Sequence, residues 1–225
     1  SPYTFPRDGG VGAVLHGNLA RLALTWMDDY ASFYFKVNGV AKKAAENQNV
    51  TSRLELRSRL KCHSFDWYLD NVWPENFLPR PGQFFGKIRS LESNRCLQKP
   101  RRKPGSHSSQ PSGPATLDTC VDKEQFYAGQ LFTLNKAGNL QGDESVCLDA
   151  PQWKEADAGV RFSVCGQQDR QEWNFLEVGA DQVQVLHRLS GLCLAVAAAA
   201  TSDPVILVPC ENQSLQKWAL EKQEW

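Results

Sequence analysis

The sequence predicts a chain of mixed class: a helical segment over residues 1–73 and, after a proline-rich linker at 74–82, an all-β domain over residues 83–225. Three observations predict it. Apolar residues recur at spacings of three and four in the first third of the chain. Short alternating runs punctuated by Gly, Asn, Asp and Ser fill the rest. Within that second part, one arrangement of cysteine, leucine and glutamine occurs three times.

The helical elements come first. From Asn18 onward, Leu19, Leu22, Ala23, Trp26, Tyr30 and Phe33 form the stripe of a helix docked on a larger body, with Asn18 as its N-cap. Adjacent Asp28 and Asp29 point about 100° apart on a helix, so they cannot flank one bond and read as solvent-facing. A second helix is expected from Ser52, where Ser52 and Glu55 have capping-box spacing and Leu54, Leu56 and Leu60 supply the apolar side. Ser64 to Asn71 reads as a third helix, ended by Pro74, which excludes the α conformation at Trp73. These helices carry many aromatics and no sheet, so the rest of their domain is expected upstream of Ser1. Pro74 to Gly82 holds three prolines and one glycine in nine residues, a stiff connector.

Strands follow, in runs such as Phe84–Ile88, Val160–Val164 and Val205–Val208. Each repeat has a Cys-Leu step (Cys96-Leu97-Gln98, Cys147-Leu148-Asp149, Cys193-Leu194-Ala195) and a closing Gln-x-aromatic (Gln130-Leu131-Phe132, Gln171-Glu172-Trp173, Gln216-Lys217-Trp218). The closing aromatics lie 41 and 45 residues apart. A unit of that length cannot bury its own apolar face, so three units share one axis, as in a β-trefoil, with the aromatics and Leu97, Leu148 and Leu194 inside. Six of the seven cysteines fall into the pairs Cys96/Cys120, Cys147/Cys165 and Cys193/Cys210. Each disulfide would close a loop of about 20 residues and contribute about 3 kcal/mol. Cys62 is left over and reads as half of a disulfide to an upstream partner rather than a reactive thiol. This cysteine usage suits a secretory compartment, where the sequons Asn49-Val50-Thr51 and Asn212-Gln213-Ser214 would be glycan acceptors.

Charge excludes some partners. Twenty-five basic and 25 acidic residues cancel, so no overall field points to nucleic acid. The chain opens Ser1-Pro2-Tyr3 without an initiator Met, contains no long apolar run, and reads as an excised piece. Lys99 to Thr116 reads as a surface insertion whose run Lys99-Pro100-Arg101-Arg102-Lys103 is either a solvated loop or a contact for sulfated glycans or anionic lipid. His16, His63, His107 and His187 have no Asp or second His at ligand spacing, so no metal is assigned to this chain.

The Cys-Leu-Asp and Gln-x-Trp signature resembles the ricin-type lectins. Upstream, Tyr3-Thr4-Phe5-Pro6, Asn18-Leu19-Ala20-Arg21-Leu22-Ala23, Trp26-Met27-Asp28-Asp29-Tyr30, Leu54-Glu55-Leu56-Arg57, Leu60-Lys61-Cys62 and Phe65-Asp66-Trp67-Tyr68-Leu69 resemble the end of the catalytic domain of the polypeptide N-acetylgalactosaminyltransferases. The resemblance spans essentially the whole chain. It implies a helical C-terminal remnant of an α/β glycosyltransferase domain, then a ricin-type trefoil. The parent would be a Golgi-lumenal enzyme that starts mucin-type O-glycans on Ser/Thr of polypeptide or glycopeptide acceptors, with UDP-GalNAc as donor and Mn²⁺ as cofactor. Any membrane anchor and the metal ligands, an Asp-x-His pair and a later His, would lie upstream, so no catalytic set is complete here and the chain alone should be inactive. Among the residues present, the resemblance carries over Tyr3, in the loop that folds over the nucleotide sugar; a frayed terminus is the competing reading. Arg7 and Asp8 depart from the family's direct passage from proline to glycine.

The resemblance also places a GalNAc-type glycan site in each repeat, built on the residue after Cys-Leu. Gln98 and Ala195 remove the carboxylate from the first and third, leaving Asp149 in the second. There the family's stacking aromatic is Ser163 and its Asn is Arg170. Trp153 is the substitute sugar platform, or packs on its own repeat, and Asp149 either binds sugar or braces a turn. The alternative to a transferase tether is a non-catalytic carbohydrate-binding or interaction module.

Overall fold

The computed structural model describes residues 10–74, 76–80, 82–100, 112–122, 126–143, 145–166, 168–197 and 204–225. Contacts divide the chain into a helical unit, up to Asn76 and including Trp225, and a β unit, Phe77–Glu224. Among the described residues no helix is long and apolar enough to cross a membrane.

The helical unit contains α1 (Gly10–Trp26), α2 (Tyr30–Val37), α3 (Gly39–Ala45), α4 (Thr51–Arg59) and α5 (Phe65–Asn71). Helix α1 begins well before Asn18, which lies inside it and accepts a hydrogen bond from Arg21 instead of capping. Its buried face is Gly17, Ala20, Ala23 and Thr25, because α1 lies against α3 and small residues let the two backbones approach. Leu22 and Trp26, expected inside, are 52% and 43% exposed. Asp28 adopts φ 47°, a left-handed conformation that Asp tolerates, and this ends the stripe at Trp26 before α2 buries Tyr30 and Phe33.

Asp28 does not face solvent alone. Its carboxylate accepts from both terminal nitrogens of Arg57, at 2.6 and 3.0 Å, and from the backbone N–H of Phe65 at 2.7 Å. Arg57 Nη1 also donates to the Thr25 carbonyl at 2.7 Å, so one ion pair ties the α1–α2 turn to α4 and to the start of α5. The hydrogen bonds from Arg57 hold the Asp28 carboxyl below the usual range. At α4 the expected cap Ser52 falls inside the helix; the N-cap position is Val50, which has no side-chain cap, and just before it Asn49 Oδ1 accepts from Thr51 N–H at 3.0 Å. Helix α4 buries none of its residues, leaving Leu54 43% exposed. Ser64 caps α5, accepting from Trp67 N–H at 3.2 Å.

The β unit has thirteen strands, all paired antiparallel. The first repeat holds β1 (Phe85–Ser90), β2 (Arg95–Gln98), the two-residue β3 (Gly113–Pro114), β4 (Thr116–Thr119) and β5 (Phe132–Leu134). The second holds β6 (Leu140–Asp143), β7 (Val146–Asp149), β8 (Arg161–Val164) and β9 (Trp173–Gly179). The third holds β10 (Gln182–His187), β11 (Leu192–Val196), β12 (Val205–Pro209) and β13 (Trp218–Lys222). Strand β1 pairs with β13, from Gly86↔Lys222 to Ser90↔Trp218, and also with β5, so the two ends of the unit are joined. Gly86 is required there: a Cβ would lie 2.1 Å from the Glu221 carbonyl oxygen.

Equivalent residues of the three repeats meet at the centre. Leu97, Leu148 and Leu194, with Phe132, Trp173 and Trp218, are all fully buried in one cluster. The second half of the Pro74–Gly82 stretch packs within the β unit, where the Phe77 ring meets Phe85 edge-on at 6.4 Å between centroids. Disulfides join Cys96 to Cys120, Cys147 to Cys165 and Cys193 to Cys210, each from the second strand of a repeat to the end of the next long strand. Cys62 is a free, exposed thiol in this chain.

Candidate functional site

The site region of each repeat is built around its disulfide. The closing glutamine, buried in every repeat, grips the backbone on both sides of the second cysteine. Gln130 Oε1 accepts from Val121 N–H at 3.0 Å, and its Nε2 donates to the Thr119 carbonyl at 2.8 Å. Gln171 does the same with Gly166 and Val164, both at 2.9 Å, and Gln216 with Glu211 and Pro209, at 2.8 and 2.9 Å. This clip explains the glutamine of the Gln-x-aromatic motif: an amide side chain supplies one acceptor and one donor together, where a carboxylate would lack the donor. Two residues on, the indole N–H of Trp173 donates to the Leu148 carbonyl at 2.9 Å and that of Trp218 to Leu194 at 3.0 Å. Phe132 has no such donor and stacks on Phe162 instead.

The residue after each Cys-Leu step differs among the repeats, and so do its surroundings. Gln98, 4% exposed, donates to the Lys99 carbonyl at 2.8 Å while its Oε1 has no partner. Beside it Lys99 is also buried, contacts the Gly142 carbonyl and lies 3.5 Å from Asp143; burial lowers its pKa. Ala195 leaves a groove of about 450 Å³ in the third repeat, with Val196, Ile206 and Leu215 on its walls and Asp157 and Glu211 among its polar lining.

Asp149 lies on the face of β7 that also carries Cys147, and Cys147 faces Ser163 across the ladder to β8. Only 1% of the residue is exposed. Its Oδ2 accepts from the Ser163 hydroxyl and from Gln171 Nε2, the latter at 3.3 Å. Its Oδ1 is 2.9 Å from Arg170 Nε, an ion-pair contact in which neither atom is aligned for a hydrogen bond. Ser163 and Arg170, which sequence reasoning treats only as substitutions for a sugar-stacking aromatic and an amide, are therefore the partners of the carboxylate.

His187 joins the same cluster from the end of β10. It is fully buried, its Nδ1 lies 2.8 Å from Ser190 Oγ, its ring tilts against Trp173 at 4.9 Å, and its Nε2 has no hydrogen-bond partner. Burial lowers its pKa, opposed by the Arg170 carbonyl and the Asp149 charge. Sequence spacing could not find it, since it lies 38 positions from Asp149. Trp153 is half-buried, packs against the core and carries the Lys154 ammonium 5.2 Å from its ring centre. It borders a separate shallow groove with Leu189, Ser190 and Leu192, to which Asp149 does not contribute.

Tyr3, Arg7 and Asp8, and the basic run from Arg101 to Lys103, lie outside the described residues. Among the described residues no three of His, Cys, Asp and Glu gather as a metal-ligand set, so none of them fits Mn²⁺.

Comparison with known proteins adds to this geometry. A family model described as the ricin-type beta-trefoil lectin domain matches residues 84–218. Polypeptide N-acetylgalactosaminyltransferase 3 of Drosophila melanogaster is 29% identical over an alignment covering the whole of this chain and 42% of that protein. A probable N-acetylgalactosaminyltransferase 6 of Caenorhabditis elegans is 32% identical, covering the whole chain and 36% of its own length. The chain thus spans about two fifths of those relatives. The crystal structure of GalNAc-T7 with UDP, GalNAc and Mn²⁺ superposes with a TM-score of 0.57 at 20% identity, over 92% of this chain and 35% of that one, a likeness of fold.

Proposed function

This chain belongs to the ricin-type β-trefoil lectin domain family, and from that premise we propose that it is the C-terminal part of a UDP-GalNAc:polypeptide N-acetylgalactosaminyltransferase. The observation that carries the reading is that similarity to two such transferases runs through both units, helices as well as trefoil. A lectin domain alone would account only for the second.

In this reading the parent transfers GalNAc, with retention, from UDP-GalNAc to Ser or Thr hydroxyls of polypeptide and glycopeptide acceptors. Mn²⁺, held outside this chain, would neutralise the diphosphate leaving group. Tyr3 would close over the nucleotide sugar. The trefoil tethers acceptors and raises their effective concentration near the transferase, through a GalNAc-type glycan at Asp149 or through protein contacts. Three disulfides fit an oxidising compartment, and the Golgi lumen, with a membrane anchor in the parent, is the proposed location.

The test is transfer of labelled GalNAc from UDP-GalNAc, with Mn²⁺, to plain and pre-glycosylated Ser/Thr peptides. Turnover is expected from the full-length parent and none from the 225-residue chain alone. Deleting residues 83–225 from the parent should reduce activity on polypeptide acceptors that the trefoil tethers through protein contacts. An inactive parent would sink the reading in favour of a non-catalytic interaction module, which the covered Asp149 carboxylate also suits.

A further inference from the structure

The second-repeat carboxylate is already occupied by groups of the chain itself. A carboxylate offers about four acceptor positions. Ser163 and Gln171 fill Oδ2, and both donors are fixed, one on the neighbouring strand and the other in the disulfide clip. Oδ1 differs: it is sealed from solvent yet receives no directed hydrogen bond. Against it lies Arg170, whose side chain is 40% exposed while its Nε, 2.9 Å from Oδ1, is buried. The guanidinium therefore covers the carboxylate with its inner edge and faces water with its outer one. That ion pair is the only polar contact its side chain makes among the described residues.

The other repeats have no such cover. The residue preceding the closing glutamine is Gly129 in the first and Leu215 in the third. The cation stands only where a carboxylate stands, and Arg170 is held by charge rather than by a hydrogen-bond network. A group so held can be removed without dismantling the disulfide clip, which leaves Oδ1 without its cation.

We propose that Arg170 occupies the second-repeat site as an internal ligand and sets its selectivity, refusing neutral sugars while its guanidinium lies over Asp149. The inference rests on reading the trefoil as a sugar-binding scaffold. Shortening this one side chain to a neutral amide opens the site, because the amide leaves Oδ1 free and can itself donate to a sugar oxygen.

The experiment titrates a GalNAc-bearing glycopeptide into the 225-residue chain, without UDP-GalNAc, by isothermal calorimetry. The wild type and Arg170→Lys should show no saturable binding at millimolar ligand. Arg170→Asn should bind at least about tenfold more tightly than wild type, and adding Asp149→Asn should abolish the gain. Near-UV circular dichroism establishes that each variant is folded, and Arg170→Gln carries the same test should Arg170→Asn not fold. Wild-type binding that Asp149→Asn removes and Arg170→Asn leaves unchanged would overturn the proposal, as would folded amide variants that gain nothing. Since no transfer is read, an inactive parent leaves this result intact, and failure here leaves the transferase reading standing.

Discussion

Within the β unit, single polar atoms carry much of the specification. Trp173→Phe removes one buried indole N–H and orphans the Leu148 carbonyl, so it should cost about 1–2 kcal/mol in urea denaturation. Phe132 shows that a repeat tolerates a phenyl ring there when a second ring stacks on it. Gln216→Ala orphans an N–H and a carbonyl beside the Cys193–Cys210 bridge and should cost more, about 2–3 kcal/mol. His187 makes stability depend on pH. Its native pKa is lowered by burial, so as pH falls below its ordinary value of about 6.5 the unfolded chain takes up a proton that the native state resists. Stability should therefore decline from pH 7 downward until the native pKa is passed, and His187→Gln should flatten that slope in melts run between pH 7 and 5. At this scale the sequence was half legible. Cys-Leu-Asp and Gln-x-Trp marked where Asp149 and Gln171 lie, but not that Ser163, Arg170 and His187 converge on them, because partners brought together across strands leave no spacing signal.

Among the elements, the α1–α2 turn depends on one carboxylate. Asp28→Ala removes both bonds to Arg57 and the acceptor for Phe65 N–H, and should lower the stability of the helical unit by about 1 kcal/mol, since the pair is 37% exposed on the Asp side and screened by water. The effect should shrink in high salt, and it should vanish in acid, because a carboxyl whose native pKa is lowered contributes above its ordinary value and loses that contribution as pH falls. Chemical denaturation at two salt concentrations, followed by helix signal, checks it. Three helical stretches were legible, but not the break that separates α1 from α2 nor α3 (Gly39–Ala45), and the packed face of α1 was only partly right. The stripe from Leu19 to Phe33 was right at Ala23, Tyr30 and Phe33, which are buried, and wrong at Leu22 and Trp26, because α1 packs through Gly17, Ala20 and Ala23, where size governs approach. The start of α5 at Ser64 was legible, whereas the Ser52–Glu55 pair placed the start of α4 one residue late, at Ser52 instead of Thr51.

For the molecule as a whole, the threefold repeat was the most legible feature, since closing aromatics at a near-constant period leave few architectures in which all three can be buried. Replacing Cys147 and Cys165 together by serine should lower the unfolding free energy of the β unit by about 3 kcal/mol, read as a shift of its denaturation midpoint. The glutamine clips give those bridges a further property. Six cysteines admit 15 pairings. In a mispaired chain the glutamines would lose the paired backbone groups that flank Cys120, Cys165 and Cys210, leaving amides without partners beside each wrong bond. Each native bridge thus sits between backbone groups that its own glutamine satisfies, so correct pairing carries hydrogen bonds that a scrambled pairing forfeits.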